Sequence, residues 1–557
     1  MVDSTTSTDY SLKKVCGNVT SFSKFVIAKA TASNGATPFD FDGDSKTDVS
    51  IFRPAPGQWW YLRSSDFSNA AFAFGTETDT LVPADYTGDG KTDIAFWRGT
   101  TGQWFVLRSE DSSFFGFPFG TSGDIPAPGD FDGDGLVDIY LVTEEGQSKL
   151  YRNLGGFIFE DVTEKAGLNQ EQGGFGIGAY FADIDNDRDL DLFLTNWKKS
   201  NQLYLNNGDG TFTDVTQKAG LNYYGGSTTA TFADYDRDGD LDFFVATYRA
   251  SDLAAEIGTP KLEMKDGKIV VPDNLKSAIE LFETQKGLSV RQLGEPDLLY
   301  RNNGDGTFSE VAKEAGISGG YWGLSASFSD VDNDGWPDLY VTNDFWSPDT
   351  FYRNNGNGTF SLIDANKLQQ TPMFAMGMDF GDINNDGLID VFVGDMLSKD
   401  ATLRLTQHGL MDTTLPPDEA AAQVMHNGLF LNNGDGSFSE ISWMAGVASS
   451  DWTWSTKFID ADLDGYEDLL INNGMIGDLM DSDVLANINL PQFKNAPAYY
   501  DGYPKLATPN VAFRNNGNLT FSDVSKEWGV NHESIAHGAT FADFDNDGDL
   551  DKIDSFM

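Results

Sequence analysis

Nine times along this 557-residue chain the same short pattern returns, and each time it places acids on alternate positions of a turn. The clearest copy is Asp130-Phe131-Asp132-Gly133-Asp134-Gly135-Leu136-Val137-Asp138, acidic at positions 1, 3, 5 and 9. Alternate side chains of a tight turn converge on one point. Glycine at position 6 permits a sharp reversal, and the last aspartate closes the shell of oxygens. That donor set suits Ca²⁺, which takes about six to eight hard oxygen ligands at flexible geometry. An EF-hand is excluded, because its loop runs to about twelve residues, ends on Glu and lies between helices. The flanks here, 126–129 and 139–142, read as strands.

The first aspartates of the nine copies are Asp40, Asp85, Asp130, Asp183, Asp234, Asp330, Asp382, Asp460 and Asp543, so the basic repeat is 45 to 53 residues, the size of a four-stranded propeller blade. The later repeats carry a second motif, as in Leu203-Tyr204-Leu205-Asn206-Asn207-Gly208-Asp209-Gly210-Thr211-Phe212. Asn-Gly between two apolar runs is a hairpin signal, since both residues accept positive φ. Each repeat therefore reads as strand, acid loop, strand, connection, strand, Asn-Gly turn, strand. Two residues before the loop stand Phe181, Phe232, Phe328, Phe380, Phe458 and Phe541, and five before it Gly178, Thr229, Ser325, Gly377, Ser455 and Gly538. A bulky anchor with a small residue at fixed offset suits an innermost strand crowded against its neighbour.

The expected fold is all-β: one large β-propeller of eight or nine four-stranded blades. Residues 34–168 form three short-type blades and 169–557 five or six long-type blades of the same ring. Open sheet edges are hazardous, and the ninth repeat stops at Met557 without its last two strands. The segment 1–33 is expected to supply them, through residues around Leu12 to Ala30. Three repeats are long, and their extra residues, 251–296, 397–427 and 474–509, all fall between the second and third strands. In an up-and-down blade that puts all three insertions on the face opposite the acid loops. Within them Asn274 to Phe282 reads as a short helix, and Pro416 to Ala422 as a helix start.

Charge narrows the partners. With 37 Lys and Arg against 86 Asp and Glu, the net charge of −49 opposes nucleic acid or an anionic membrane surface and favours bound cations. No apolar run is long enough to span a membrane. A single cysteine, Cys16, leaves the redox compartment unread. The N-terminus lacks the regions of a signal peptide, but weak calcium sites suit millimolar extracellular calcium. An extracellular, cell-surface or periplasmic location is therefore expected, reached after removal of a leader or by another route.

The repeat resembles the FG-GAP and VCBS repeats, the calcium-binding blades of integrin α-subunits, bacterial surface proteins and some fungal lectins. The resemblance covers roughly residues 34–557. It implies up to nine Ca²⁺, ligated at positions 1, 3, 5 and 9, with a backbone carbonyl from position 7. Asp130, Asp132, Asp134, Asp138; Asp234, Asp236, Asp238, Asp242; Asp330, Asp332, Asp334, Asp338; Asp460, Asp462, Asp464, Asp468; and Asp543, Asp545, Asp547, Asp551 match in full. Thr87 replaces the third acid beside Asp85, Asp89 and Asp93, and Asn384 replaces it beside Asp382, Asp386 and Asp390. In Asp40, Asp42, Asp44, Asp48 the position-6 residue is Ser45. In Asp183, Asp185, Asp187, Asp191 it is Arg188, disfavoured at positive φ and a cation beside the site. These last two loops are expected to be the least readily filled. Close carboxylates repel unless a cation or protonation offsets them, so metal-free acidic turns are the weaker alternative. Calcium is expected to staple the turn rather than to catalyse.

Enzymatic signals are thin. His408, His426, His532 and His537 show no zinc spacing, and there is no nucleophile elbow or phosphate loop. The insertion face carries Trp197, Tyr321, Trp322, Asn343, Asp344, Phe345, Trp346, Trp452 and Trp454, which suit a sugar ring, a protein partner, or the packing of the insertions themselves. The leading expectation is a non-catalytic binding or adhesion module that takes a protein or glycan partner on that face. A polysaccharide lyase-like enzyme or a lectin on the same scaffold is the alternative.

Overall fold

The computed structural model describes residues 5–9, 14–17, 49–53, 58–63, 68–74, 80–81, 94–98, 103–107, 114–118, 125–129, 131–132, 138–142, 148–154, 159–168, 175–250, 262–265, 267–284, 287–317, 319–345, 347–363, 367–407, 423–462, 464–487, 503–542 and 551–556. The chain divides into two compact units. The first comprises Met1–Phe119, Asn153–Phe159 and Ala542–Asp551, and the second Gly120–Arg152, Glu160–Phe541 and Lys552–Met557.

In the first unit, Val49–Arg53, Gln58–Leu62 and Asn69–Ala73 form an antiparallel sheet. Thr80–Leu81, Ile94–Arg98, Gln103–Leu107 and Phe114–Pro118 form a second. Trp59 is buried and donates its indole N–H to the Phe74 carbonyl at 3.1 Å. Of the segment expected to close the ninth repeat, only Lys14–Gly17 is described, and it pairs with Thr5–Asp9.

The second unit repeats one four-stranded antiparallel meander. In the fourth repeat the strands are Phe175–Ala182, Asp191–Ser200, Gln202–Asn206 and Phe212–Asp214. In the sixth they are Gly323–Ser329, Asp338–Asn343, Thr350–Asn354 and Phe360–Leu362. The third, fifth, seventh and eighth repeats follow the same order. The ten-residue strand Asp191–Ser200 overruns its own hairpin. Its end pairs with Tyr224–Ala233, Trp197 facing Gly226 and Ser200 facing Tyr224, which fuses the fourth and fifth repeats into one eight-stranded sheet.

Second strands are short apolar runs buried on both faces, so each supplies two cores. Phe193 packs with Phe243, Val245 and Tyr300 of the fifth repeat, while Leu192 and Leu194 pack with Phe131 and Tyr140 of the third. Phe244 joins Leu339, Val341 and Tyr352; Tyr340 joins Val391 and Phe430; Phe392 joins Leu469, Ile471 and Phe513. Each such side chain, taken from water, contributes roughly 1.5–3 kcal/mol. First strands of successive repeats run side by side, as expected from the small residues. The Tyr180 hydroxyl lies 3.0 Å from Thr229 Oγ1, and Thr228 donates to the Gly323 carbonyl at 2.9 Å. A β-carbon on Gly377 would stand 2.6 Å from the Trp454 carbonyl oxygen, so only glycine fits there.

In the fifth, seventh and eighth repeats the second strands end at Thr247, Val393 and Asn473 and the third begin at Leu298, Gly428 and Val511. In the fourth to eighth repeats, with or without an insertion, one Asx residue closes the second-to-third connection at its base. Asn201, Asp297, Asp349, Asn427 and Asn510, two residues before the apolar core of the third strand, accept the backbone N–H of Asn196, Thr247, Asn343, Asp395 and Asn473 at 2.8–3.1 Å. The first insertion is not helical where the sequence suggested. A single 3-10 turn, Asp273–Leu275, leads into strand Ile279–Thr284, which pairs with Gly287–Gln292. β-branched Ile279 is buried at its start and Leu281 faces Val290, so hairpin pairing outweighs local helix preference. The helix start at 416–422 lies outside the described residues.

The closing residues differ in what they risk. Burial pushes the Asp297 carboxyl up to about 7, against its ordinary 3.8. A raised folded-state value means stability that is complete below about pH 4 and lost as pH rises through 7. Asp297→Asn keeps the acceptor for Thr247 and copies the fourth, seventh and eighth repeats. Melting temperatures of variant and wild type should diverge between about pH 4 and 7, the variant gaining on the order of 2 kcal/mol, and run parallel above that; curves parallel throughout would refute this.

Candidate functional site

Five acid loops lie within the described residues: 183–191, 234–242, 330–338, 382–390 and, except for position 463, 460–468. The candidates Asp40, Asp42, Asp44, Asp48, Asp85, Thr87, Asp89, Asp93, Asp130, Asp134, Asp543, Asp545 and Asp547, and the side chain of Asp551, lie outside them. Of the third loop, Asp132 and Asp138 are described.

The turn is built by its own carboxylates. Position 1 accepts backbone N–H groups from positions 5 and 6, as Asp234 does from Asp238 and Gly239 at 3.1 Å and Asp460 from Asp464 and Gly465 at 2.9 Å. Position 5 accepts from position 7, as Asp334 does from Trp336 and Asp386 from Leu388, both at 2.9 Å. Position 6 is left-handed in every described loop, including Arg188 at φ 81°. The strain foreseen for Arg188 is therefore present, although its side chain points to solvent. Position 4 is left-handed too, at Asn186, Arg237, Asn333 and Asn385, with φ of 56–63°. The sequence reading passed over position 4, yet the signal was there: it is Gly or Asn in most copies, the residues that tolerate this conformation.

Position 9 has a different task. Asp191, Asp242, Asp338, Asp390 and Asp468 are fully buried. One oxygen accepts the N–H of position 2, and the other accepts the N–H of Asn206, Asn302, Asn354, Asn432 or Asn515, the first Asn of the Asn-Gly motif, at 2.8 Å. That asparagine in turn donates its side-chain amide to the position-2 carbonyl of the preceding repeat: Phe131, Ile184, Tyr235, Val331 and Ile383, at 2.7–3.0 Å. Position 4 bridges the other way. Asn186, Asn333 and Asn385 donate to the carbonyls of Gly239, Gly387 and Gly465 in the next repeat, and Arg237 instead lies over the Trp336 ring at 4.6 Å. Acid loops and Asn-Gly turns share one face: a β-carbon on Gly208 or Gly304 would meet Asp189 or Asp240, at position 7, within 2.7 Å.

Three of the four acids come together in four of the five described loops. Asp183, Asp185 and Asp191; Asp234, Asp236 and Asp242; Asp330, Asp332 and Asp334; and Asp460, Asp462 and Asp464 each bring one oxygen to within 4.8 Å of the others. Burial pushes each position-9 carboxyl up to about 7, against the backbone N–H bonds that favour its charge. Position 3 is raised first by burial and also by the neighbouring acids, at Asp185, Asp236 and Asp462. Asp183 Oδ1, Asp236 Oδ1 and Asp330 Oδ1 are buried without a hydrogen-bond partner. Buried, unpaired oxygens among clustered acids fit a hard divalent cation, and an all-oxygen donor set fits Ca²⁺.

On the opposite face the candidate aromatics largely pack against one another. Tyr248 lies 5.8 Å from Trp197 and 4.6 Å from Trp322, Phe345 packs on Trp322 and Phe374, and Trp452 and Trp454 join a cluster with Met373, Met396, Met475 and Met480. Asn343 is buried, Trp346 lies outside the described residues, and the Asp344 carboxyl, pushed up to about 7 by burial, accepts from the Tyr248 hydroxyl.

The profile of the FG-GAP-like repeat matches residues 40–96, 130–194, 183–245, 289–341 and 330–393. Cartilage acidic protein 1 of Xenopus tropicalis is 34% identical over 100 residues, 18% of this chain and 15% of that protein's length. Among solved structures, an Agrocybe aegerita lectin that recognises non-reducing terminal N-acetylglucosamine is similar at 15% identity and a TM-score of 0.38, covering 83% of this chain and 94% of the lectin. The V. cholerae biofilm matrix protein Bap1 is similar at 12% identity and a TM-score of 0.31, covering 81% and 88%.

The bridging asparagines carry a direct test. Asn354→Ala leaves the carbonyls of Tyr235 and Pro337 buried without their donor. It should cost roughly 2–4 kcal/mol and lower the melting temperature; a melt within a degree of wild type would show the bridge to be dispensable.

Proposed function

This chain belongs to the FG-GAP-like repeat family, and on that footing we propose that it is a calcium-stabilised β-propeller that binds a protein partner outside the cell, without catalysis, through the face opposite the acid loops. Calcium is held by Asp183, Asp185, Asp187 and Asp191 and by the corresponding residues of the other loops, the filled sites fixing the turn between first and second strands. Extracellular calcium suits sites of this kind. No helix among the described residues is long and apolar enough to cross a membrane.

One observation carries the binding reading. After the fourth strand, the third, fourth, fifth and eighth repeats make a short turn whose two outermost residues are Glu164-Lys165, Gln217-Lys218, Lys313-Glu314 and Lys526-Glu527, all exposed. In the seventh repeat the same two positions are Trp443 and Met444, exposed by 59% and 58%. The Trp443 ring packs edge-on, at 5.5 Å, against His426, which returns from the second insertion, so this pair stands at the rim of the insertion face. Trp and Met are enriched where proteins anchor one another, and a repeat that gives up its polar pair for them exposes apolar surface that a partner would cover. A glycan is the second reading, because an exposed indole also stacks on a sugar ring.

Trp443→Glu with Met444→Lys restores the solvated pattern. Partner capture from extracellular extracts should fall at least tenfold while the melt is unchanged; retained capture would move the site elsewhere, and sugar binding on a glycan array, lost in the variant, would favour the glycan. Chelation by EGTA should lower the melting temperature by many degrees, since a metal bound only to the folded state stabilises by mass action. Ca²⁺ should restore it better than Mg²⁺, and an indifferent melt would sink the calcium assignment.

A further inference from the structure

Resting on the calcium reading above, the geometry points to a resident counter-cation: we propose that the arginine immediately before the turn asparagine competes with calcium for the acids of its own loop, sorting the loops into clamped and open classes. In the sixth repeat Arg353 Nη2 lies 2.5 Å from Asp332 and 3.2 Å from Asp334, the acids at positions 3 and 5. In the third, Arg152 pairs with Asp132. Arg301 and Arg514 hold the same place in the fifth and eighth repeats and act electrostatically on Asp236 and Asp462. The fourth and seventh repeats have Leu205 and Leu431 there instead. In the fourth, burial pushes the Asp185 carboxyl up first, and the neighbouring carboxylates Asp187 and Asp183 raise it further.

A guanidinium seated on two carboxylates takes up the oxygens that a cation needs, and its charge must be tolerated or displaced when calcium enters. Asp330 Oδ1, buried and unpartnered beside it, is the acceptor that Arg353 leaves unused. The clamp offsets repulsion among the acids at low calcium; the open loop 183–191 has no such relief and takes calcium first. Arg188, although part of that loop, points into solvent and leaves its acids free. The order of filling is therefore reversed from what the loop sequence alone suggests.

Trp336 at position 7 of loop 330–338 supplies a reporter. Tb³⁺ bound there should be excited through tryptophan in the full-length protein, and Trp336→Phe should remove that part of the signal. Arg353→Leu, which copies two sibling repeats, should shift half-saturation of the Trp336-dependent signal to roughly tenfold lower Tb³⁺ and enlarge the calcium-induced rise in melting temperature. Leu205→Arg should shrink that rise. Wild-type binding with Arg353→Leu unchanged or weaker overturns the clamp alone. Absence of both Tb³⁺ signal and calcium stabilisation, in wild type and variant alike, overturns the calcium reading and the clamp with it.

Discussion

The position-9 carboxylate is the contact on which the second unit depends. Buried at the start of each second strand, it holds the loop by one oxygen and the Asn-Gly turn by the other, tying two connections that are far apart in sequence. Its asparagine partner then reaches into the preceding repeat. Local turn, hairpin register and packing between repeats thus share one small polar network. Its cost is that a carboxylate is buried, and charge at that depth is favoured only by the N–H bonds it accepts and by a cation nearby.

Much of this was legible in the sequence because polar networks constrain residue identity more tightly than apolar cores do. The regular return of Asp at position 9, of Gly at position 6 and of the Asn-Gly pair exposed the repeat, its four strands and the connection that carries the insertions. The crowding of first strands could be read from Gly377 and its counterparts. What escaped notice was the reason for each polar residue. Position 4 carried no assigned role, although Asn186, Asn333 and Asn385 each reach the next loop. Asn201, Asp297 and their counterparts could not be singled out from sequence, because the N–H that each accepts belongs to a strand end a variable distance earlier.

The insertion face was harder to read, for a physical reason. Aromatics recommend themselves as binding surface and as packing material alike, and composition cannot separate the two. Here Trp322, Phe345 and Trp454 lean on neighbouring rings and methionines, whereas Trp443 stands out because its counterparts Glu164, Gln217, Lys313 and Lys526 are polar. Comparison among repeats of one chain supplied what a single motif did not. The same comparison separates Arg353 from Leu205, a difference of one side chain in otherwise matching strands.

The Asx residue at the base of each second-to-third connection frees everything beyond it. The fourth repeat spans that gap with Asn201 alone, and the fifth spans it with 251–296, yet the strands below are held by the same bond. Connection length is thereby uncoupled from the stability of the sheet, and the site behaves as a cassette. New recognition elements can be exchanged there without renegotiating the scaffold, for evolution and for a designer grafting a loop of choice.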